Sequence, residues 1–272
     1  MSSKLQLAVH GAGGRMGRRV LAMAAAESDV EVVAAIEHPS HAQMGEDSGL
    51  AAGLAANNVP LSSDWPHYAS AVIDFSLPAA VDQVIDAAAA AKIPMVIATT
   101  GLSDGQKDKL AAVAKSMPVV VAPSMSPAVN VAMRSVAQIA RSLSGVPGGV
   151  DVEIIERHHR FKVDAPSGTA LRFGELIAEA IEPVVGSVTH VHGRHGDTGA
   201  RTAGEIGYHA VRTGDDFGRH TIVFGMMGER IEVDVAASSR DGYATGAITA
   251  AKWLLDRPPG LYDMFDVLGL RE

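Results

Sequence analysis

The sequence predicts an α/β protein: a parallel sheet flanked by helices in the first half, and an α+β unit in the second. Three observations carry this. Short apolar runs and helical stretches alternate from Leu5 to Ala122, the spacing that crossover connections require. After Gly149, strand-like runs are interrupted by one convincing helix. Aromatic residues are 4% of the 272, and glycine contributes 28. The core is therefore aliphatic and the turns tight, which suits short buried strands better than an aromatic-rich sandwich.

Residues 5–9 form an apolar run that leads to Gly11, and residues 15–26 have helical composition. Residues 31–36 and 71–75 are the next strands. Ser76 is expected to cap the helix that follows, with Pro78 in its first turn and residues 79–91 as its body. A strand at 95–98 precedes the capping-box pattern of Ser103 and Gln106, ahead of a helix over 107–115. Residues 119–122 are a fifth strand. An amphipathic helix over 127–143 places Val129, Met133, Val136, Ala140 and Leu143 on one stripe. Asn130, Arg134, Gln138 and Arg141 lie opposite. The run Gly145-Val146-Pro147-Gly148-Gly149 reads as a boundary between parts of the molecule. Strands are expected at 152–156, 188–192, 206–211, 221–224 and 231–235, mostly pairing with sequence neighbours, the last two as a hairpin. A helix is expected at 169–181. Another at 243–255, stopped by Pro258-Pro259-Gly260, is expected to pack back on the first domain.

Hydrophobic residues at 47% and charged residues at 20% describe an ordinary globular chain. A net charge of −8 argues against general nucleic-acid binding, which needs a basic face. With no cysteine, disulfide frameworks, thiolate metal sites, iron–sulfur clusters and cysteine nucleophiles are excluded. The first seven residues carry one lysine and no long apolar run, so no secretory signal is expected. The longest apolar stretch, 81–97, is broken by Asp82, Asp86 and Lys92, so no membrane span is expected. The expected location is cytoplasmic.

Gly11-Ala12-Gly13-Gly14-Arg15-Met16-Gly17 joins a strand to a helix. In that context glycines permit a tight turn and a close approach of backbone N–H groups to a pyrophosphate, which the helix N-terminus also attracts. The register is Gly11, Gly14 and Gly17, because Met16 occupies the place of the usual third glycine. Glu37 ends the second strand, 20 residues after Gly17, where a carboxylate can accept ribose hydroxyls. A Rossmann-like dinucleotide site is the expectation. Glu37 beside His38, rather than arginine, leans toward NADH over NADPH. Ala98-Thr99-Thr100-Gly101 and Ala122-Pro123-Ser124-Met125 follow two more strands, so both face the sheet edge that binds ligands.

Arg157-His158-His159-Arg160-Phe161-Lys162 places five basic side chains in six positions. The run emerges from a strand and leads through Asp164-Ala165-Pro166-Ser167-Gly168-Thr169 into a helix. Cations beside the free N–H groups of Gly168 and Thr169 make a receptor for a small dicarboxylate. A histidine among cations should titrate low and suits a proton donor. His190, His192, His195 and Asp197 lack ordered ligand spacing and read as a glycine-rich loop rather than a metal site.

Three stretches together resemble the bacterial dihydrodipicolinate reductase family. They are the glycine turn, Ala98-Thr99-Thr100-Gly101, and the run from Glu153 through Arg157-His158-His159-Arg160-Phe161-Lys162 to Asp164-Ala165-Pro166-Ser167-Gly168-Thr169-Ala170. The resemblance covers nearly the whole chain. It implies a dinucleotide-binding domain over 1–126 and 241–272. It also implies an inserted mixed-sheet domain over 127–240 for substrate binding and tetramerisation. The implied reaction is hydride transfer from NADH or NADPH to 4-hydroxy-tetrahydrodipicolinate in lysine and diaminopimelate biosynthesis, by a homotetramer with no metal. By resemblance, His158 is the proton donor and Lys162 a second acid. His159, Lys162, Ser167, Gly168 and Thr169 hold the substrate. The cofactor contacts are Gly11, Ala12, Gly13, Gly14, Arg15, Met16, Glu37, His38, Ala98, Thr99, Thr100, Ala122, Pro123, Ser124 and Met125. Domain closure would hinge near Pro127 and Arg240. Some members carry arginine at His38, and many carry Asn-Phe-Ser where Ser124-Met125-Ser126 stands. Another Rossmann-type dehydrogenase of amino-acid metabolism would explain the glycine turn but not the basic run. A non-catalytic nicotinamide sensor would need a docking element that the acidic chain does not offer.

Overall fold

The structure, a computed structural model, describes residues 4–271. The chain forms two compact units. One runs to Pro127 and resumes at Arg240; the other is Ala128–Ser239.

In the first unit, β1 (Leu5–His10) turns into α1 (Arg15–Ala25), followed by β2 (Val30–Ile36), α2 (Ser48–Ala51), β3 (Leu61–Ser62) and β4 (Ala71–Asp74). A 3-10 turn at Pro78–Ala80 opens α3 (Val81–Ala91), and β5 (Met95–Ile97), α4 (Asp104–Val113) and β6 (Pro118–Val121) complete the alternation. The long helix α5 (Pro127–Leu143) leads to β7 (Asp151–His158), α6 (Gly168–Val185), β8 (Thr189–His192), β9 (Glu205–Arg212), β10 (Arg219–Met226) and β11 (Glu229–Ala236). The chain then returns to the first unit as α7 (Asp241–Leu254), β12 (Gly260–Tyr262) and α8 (Met264–Val267).

The first sheet has the order β12-β6-β5-β4-β1-β2-β3 with every pair parallel. Leu7, Val9, Ile73, Val96, Val119 and Val120 are fully buried, as strands covered by helices on both faces must be. One core joins α1 and α7 to the sheet, and a second joins α3 and α4 to its other face. β2 lies on one side of β1 and β4 on the other, so strand order reverses between β1 and β4. The crevice at their carboxyl ends is where such sheets bind ligands. α7 packs on α1, β4, β5 and β6 as expected.

The second sheet, β11-β10-β7-β9-β8, is mixed. β10 runs antiparallel to β7 and β11, while β9 runs parallel to β7 and β8. α6 covers one face, burying Phe173 and Ile177 on a unit that also buries Val152, Ile154, Ile222 and Phe224.

Four expectations are corrected. The turn at Pro78–Ala80 is capped by the extended Leu77, not by Ser76, whose N–H is drawn back to the Asp74 carboxylate. The glycine run at 145–149 is a loop inside the second unit, because the chain leaves the first unit at Pro127. Asn130 is buried on α5 rather than solvent-facing. Only two of the four strand pairs in the second sheet join sequence neighbours, since α6 carries the chain to β8 at the sheet edge and β9 then lies between β8 and β7. The short elements α2, β3, β12 and α8 have no counterpart in the sequence reading.

Candidate functional site

In the first unit, a cleft of about 880 Å³ opens at the carboxyl ends of β1 and β4, lined among others by His10, Gly11, Arg15, Glu37, Trp65 and Ser76. Its floor is the glycine turn. Gly11 has φ +75°, and a Cβ there would stand 2.8 Å from the Phe75 carbonyl oxygen. A Cβ on Gly17 would stand 2.1 Å from the Gly11 oxygen, so only glycine lets α1 press against the turn. The Gly11 and Ala12 N–H groups donate to the Ile36 carbonyl at 2.9 and 3.1 Å, and that of Gly14 to Gly11 at 3.1 Å. Gly13 donates to Glu37 Oε2 at 2.9 Å, and His38 N–H to Glu37 Oε1 at 2.8 Å. The carboxylate is thus pinned beside the turn.

Gly14 caps α1 without a side chain. The N–H groups of Arg15 and Met16, which line the cleft, have no backbone or side-chain acceptor among the described residues. These donors, with the helix partial charge, fit the pyrophosphate of a dinucleotide, and Glu37 fits its ribose. His38 is exposed, its Nδ1 2.8 Å from Ser40 Oγ.

The other two segments expected to touch a cofactor, 98–100 and 122–125, lie at the carboxyl ends of β5 and β6, outside the lining of this cleft. Thr99 turns inward: its hydroxyl donates to Asp74 Oδ2 at 2.6 Å, while Thr100 is exposed. Asp74 also accepts from His10 Nδ1 at 2.7 Å. Ala122, Ser124 and Met125 are buried and Pro123 is exposed. A Cβ on Gly246 would stand 1.8 Å from the Met125 oxygen, so α7 presses directly on this loop.

In the second unit, β7 continues through Arg157 and His158. The basic run is not a free cationic patch. Arg157 pairs with Asp216 at 2.5 Å, His158 Nδ1 with Glu156 Oε2 at 2.6 Å, and Lys162 with both Asp164 oxygens at 2.8 Å. The neighbour that dominates His158 is therefore a carboxylate, contrary to the expected surround of cations. His159 holds the Asp216 carbonyl through its N–H at 2.8 Å, and its buried Nδ1 has no hydrogen-bond partner.

Ser167 caps α6, its hydroxyl accepting from Ala170 N–H at 3.1 Å and meeting His220 Nε2 at 2.9 Å. The Gly168 and Thr169 N–H groups have no acceptor among the described residues, as an anion-binding helix start requires. Burial would raise the Glu156 carboxyl, but hydrogen bonds from His158 and Arg212 outweigh it and hold it at about 2. Burial and the neighbouring His158 push His220 down to about 4.

Sequence reasoning passed over Glu156, Arg212, Asp216 and His220. The signal for two of them was alternation. Glu156 shares the buried face of β7 with Val152 and Ile154, and His220 shares that of β10 with Ile222 and Phe224. A polar residue on an apolar face is held there by partners. His190 and His192 stack on Tyr208. No group of three or more His, Cys, Asp or Glu among the described residues could hold a metal ion. No helix among them is long and apolar enough to cross a membrane.

Two family models match in series: "Dihydrodipicolinate reductase, N-terminus" over residues 5–125 and "Dihydrodipicolinate reductase, C-terminus" over residues 128–268. The 4-hydroxy-tetrahydrodipicolinate reductase of Rhodopirellula baltica is 56% identical, covering 98% of this chain and 97% of that one. That of Halorhodospira halophila is 44% identical, covering 98% and 99%. Among solved structures, a dipicolinate-bound dihydrodipicolinate reductase from Paenisporosarcina sp. TG-14 shares the fold with a TM-score of 0.75, at 23% identity over 97% of this chain and 99% of that one. An amine dehydrogenase from Mycobacterium smegmatis shares it more loosely, with a TM-score of 0.61, at 16% identity over 96% and 95%. The glycine turn lies on the first unit and the basic run on the second; each unit matches its family model nearly in full, and the chain belongs to the dihydrodipicolinate reductase family.

Proposed function

We propose that this protein reduces 4-hydroxy-tetrahydrodipicolinate to tetrahydrodipicolinate and water at the expense of NADH or NADPH, as a step of lysine and diaminopimelate biosynthesis. The observation that carries the reading is the second-unit cluster: a histidine backed by a buried carboxylate, next to a helix start with two unclaimed N–H groups. It is the equipment for protonating a dicarboxylate, on a chain whose relatives bear that reductase name.

The first unit holds the cofactor through the turn at Gly11, Ala12, Gly13, Gly14, Arg15 and Met16, with Glu37 on the adenosine ribose and His38 beside it. Ala98, Thr99, Thr100, Ala122, Pro123, Ser124 and Met125 contribute chiefly backbone, because the Thr99 and Met125 side chains are turned into the fold. A nicotinamide held there would supply the hydride that carbon 4 of the substrate ring accepts.

The chain's own residues do the rest. Gly168 and Thr169 bind a substrate carboxylate through their N–H groups, and Ser167 holds that turn open as its cap. Lys162 exchanges Asp164 for the substrate and serves as a second acid, and His159 adds a donor. His158, its Nδ1 committed to Glu156, offers a proton from Nε2. The protein works in the cytoplasm as a homotetramer.

Following nucleotide absorbance with synthase-generated substrate tests this directly. Turnover is expected with both nucleotides, with kcat/KM for NADH at least equal to that for NADPH. Absence of turnover with either would overturn the reading, and a strong NADPH preference would overturn the role given to Glu37 and His38. Lys162→Ala should lower kcat/KM by about 10²-fold or more while the nucleotide Kd stays unchanged. Equal losses in both would remove Lys162 from the substrate site.

A further inference from the structure

Glu156 is fully buried, yet burial is outweighed and the carboxyl is held at about 2. Its four donors explain this. Oε2 receives His158 Nδ1 at 2.6 Å and Arg212 Nη1 at 2.8 Å; Oε1 receives Arg212 Nη2 at 2.7 Å and the Ser167 N–H at 3.1 Å. With both oxygens doubly engaged, the carboxylate has little acceptor capacity left. Strand register builds the arrangement: on β7, Glu156 stands opposite His220 of β10, and His158 opposite Arg212 of β9.

We propose that Glu156 and Arg212 are positioning residues that set the proton-donating state of His158, Glu156 by holding the imidazolium and Arg212 by limiting that hold. The proposal rests on His158 being the proton donor. The Nδ1–Oε2 contact fixes the tautomer, so the exchangeable proton resides on Nε2. A Cβ on Gly218 would stand 2.9 Å from Nε2; glycine there keeps this nitrogen uncovered. A lone buried carboxylate at 2.6 Å would stabilise the imidazolium so strongly that it released its proton reluctantly. The bidentate guanidinium shares Oε2 and offsets that pull. Arg212 also donates to the Asp164 carbonyl at 2.6 Å, tying the segment that carries Lys162 to the same carboxylate.

The other groups facing His158 are few. His220 of β10 has its ring 5.3 Å away, edge-on, and is kept neutral by its burial. Arg157 of β7 and Asp216 of the loop before β10 neutralise each other. Lys162 and Asp164, of the segment leading to α6, form another closed pair. Glu156 and Arg212 are the two partners with leverage in opposite directions.

The test uses Glu156→Gln, Arg212→Gln and Arg212→Lys in the full-length protein. Two readouts are taken: the NMR titration of ¹⁵N-labelled His158 in the free enzyme, and the pH profile of kcat/KM. Glu156→Gln is expected to move the alkaline limb of kcat/KM to lower pH by about one unit. Arg212→Gln should move it to higher pH by a similar amount, and Arg212→Lys should restore most of the original position. The His158 titration should move in the same directions. A merely structural role predicts lost activity with no displaced limb. Variants that shift the His158 titration the same way, or leave it in place, overturn the proposal. Opposite NMR shifts without displaced kcat/KM limbs would instead overturn His158 as the donor. If Glu156→Gln does not fold, the two Arg212 variants alone decide the sign.

Discussion

Asp74 ends β4 with no exposed surface, and a buried carboxyl is tolerated only with donors around it. Three reach it: His10 Nδ1 at 2.7 Å, Thr99 Oγ1 at 2.6 Å and the Ser76 N–H at 3.2 Å. Thr99 was legible as a polar residue at the sheet's ligand edge. The inward turn of its hydroxyl was not, because the acceptor lies 25 residues away on another strand. Thr99→Val keeps the shape and removes one donor, so stability should fall by about 1–3 kcal/mol. Urea unfolding measures this, and a loss below about 0.5 kcal/mol would mean that Asp74 does not depend on that hydroxyl.

At the level of elements, legibility followed local chemistry. The capping box of Ser103 and Gln106 forms as the spacing implies and starts α4 at Asp104. Periodicity located β1, β2, β4, β5 and β6 of the parallel sheet, and α5 from end to end. It could not find α2, β3, β12 or α8, which are two to four residues long and too short to show a period. Nor could it assemble Glu156, Arg212 and His220, since register between strands 56 or more residues apart in sequence brings them together. The junction of β1 and α1 sits between these cases: the glycine spacing was visible, and the structure supplies the reason for its third member. Gly17→Ala would drive a Cβ to within 2.1 Å of the Gly11 oxygen, forcing α1 away from the turn that carries the Arg15 and Met16 donors. Nucleotide affinity, read by quenching of intrinsic fluorescence, should weaken by about tenfold or more. Unchanged affinity would mean that the helix start does not hold the pyrophosphate.

For the molecule as a whole, the excess of acidic residues, net −8, turns out to partner the basic run rather than to contrast with it. Asp216, Glu156 and Asp164 each take one of its basic side chains. Stability consequently depends on pH through the groups that this pairing and burial hold away from their ordinary values. His220 is pushed from 6.5 to about 4, by burial first and then by the His158 and Lys162 charges. Glu156 is held from 4.5 to about 2, because hydrogen bonds from His158 and Arg212 overcome burial. Each group binds its proton more weakly in the folded chain than in the unfolded one, so both contributions are lost as pH falls. The His220 contribution is complete above pH 6.5 and disappears between 6.5 and about 4. That of Glu156 is complete above 4.5 and disappears toward about 2. The urea midpoint should therefore decline already between pH 6.5 and about 5, above the range where carboxylates with ordinary values titrate, at a slope of at most about 1.4 kcal/mol per pH unit from one group. His220→Gln leaves an uncharged side chain in the same place and should flatten that upper window while preserving the decline below pH 4.5. If wild type and variant decline in parallel between pH 6.5 and about 5, acid sensitivity in that range comes from groups other than the buried histidine behind Ser167.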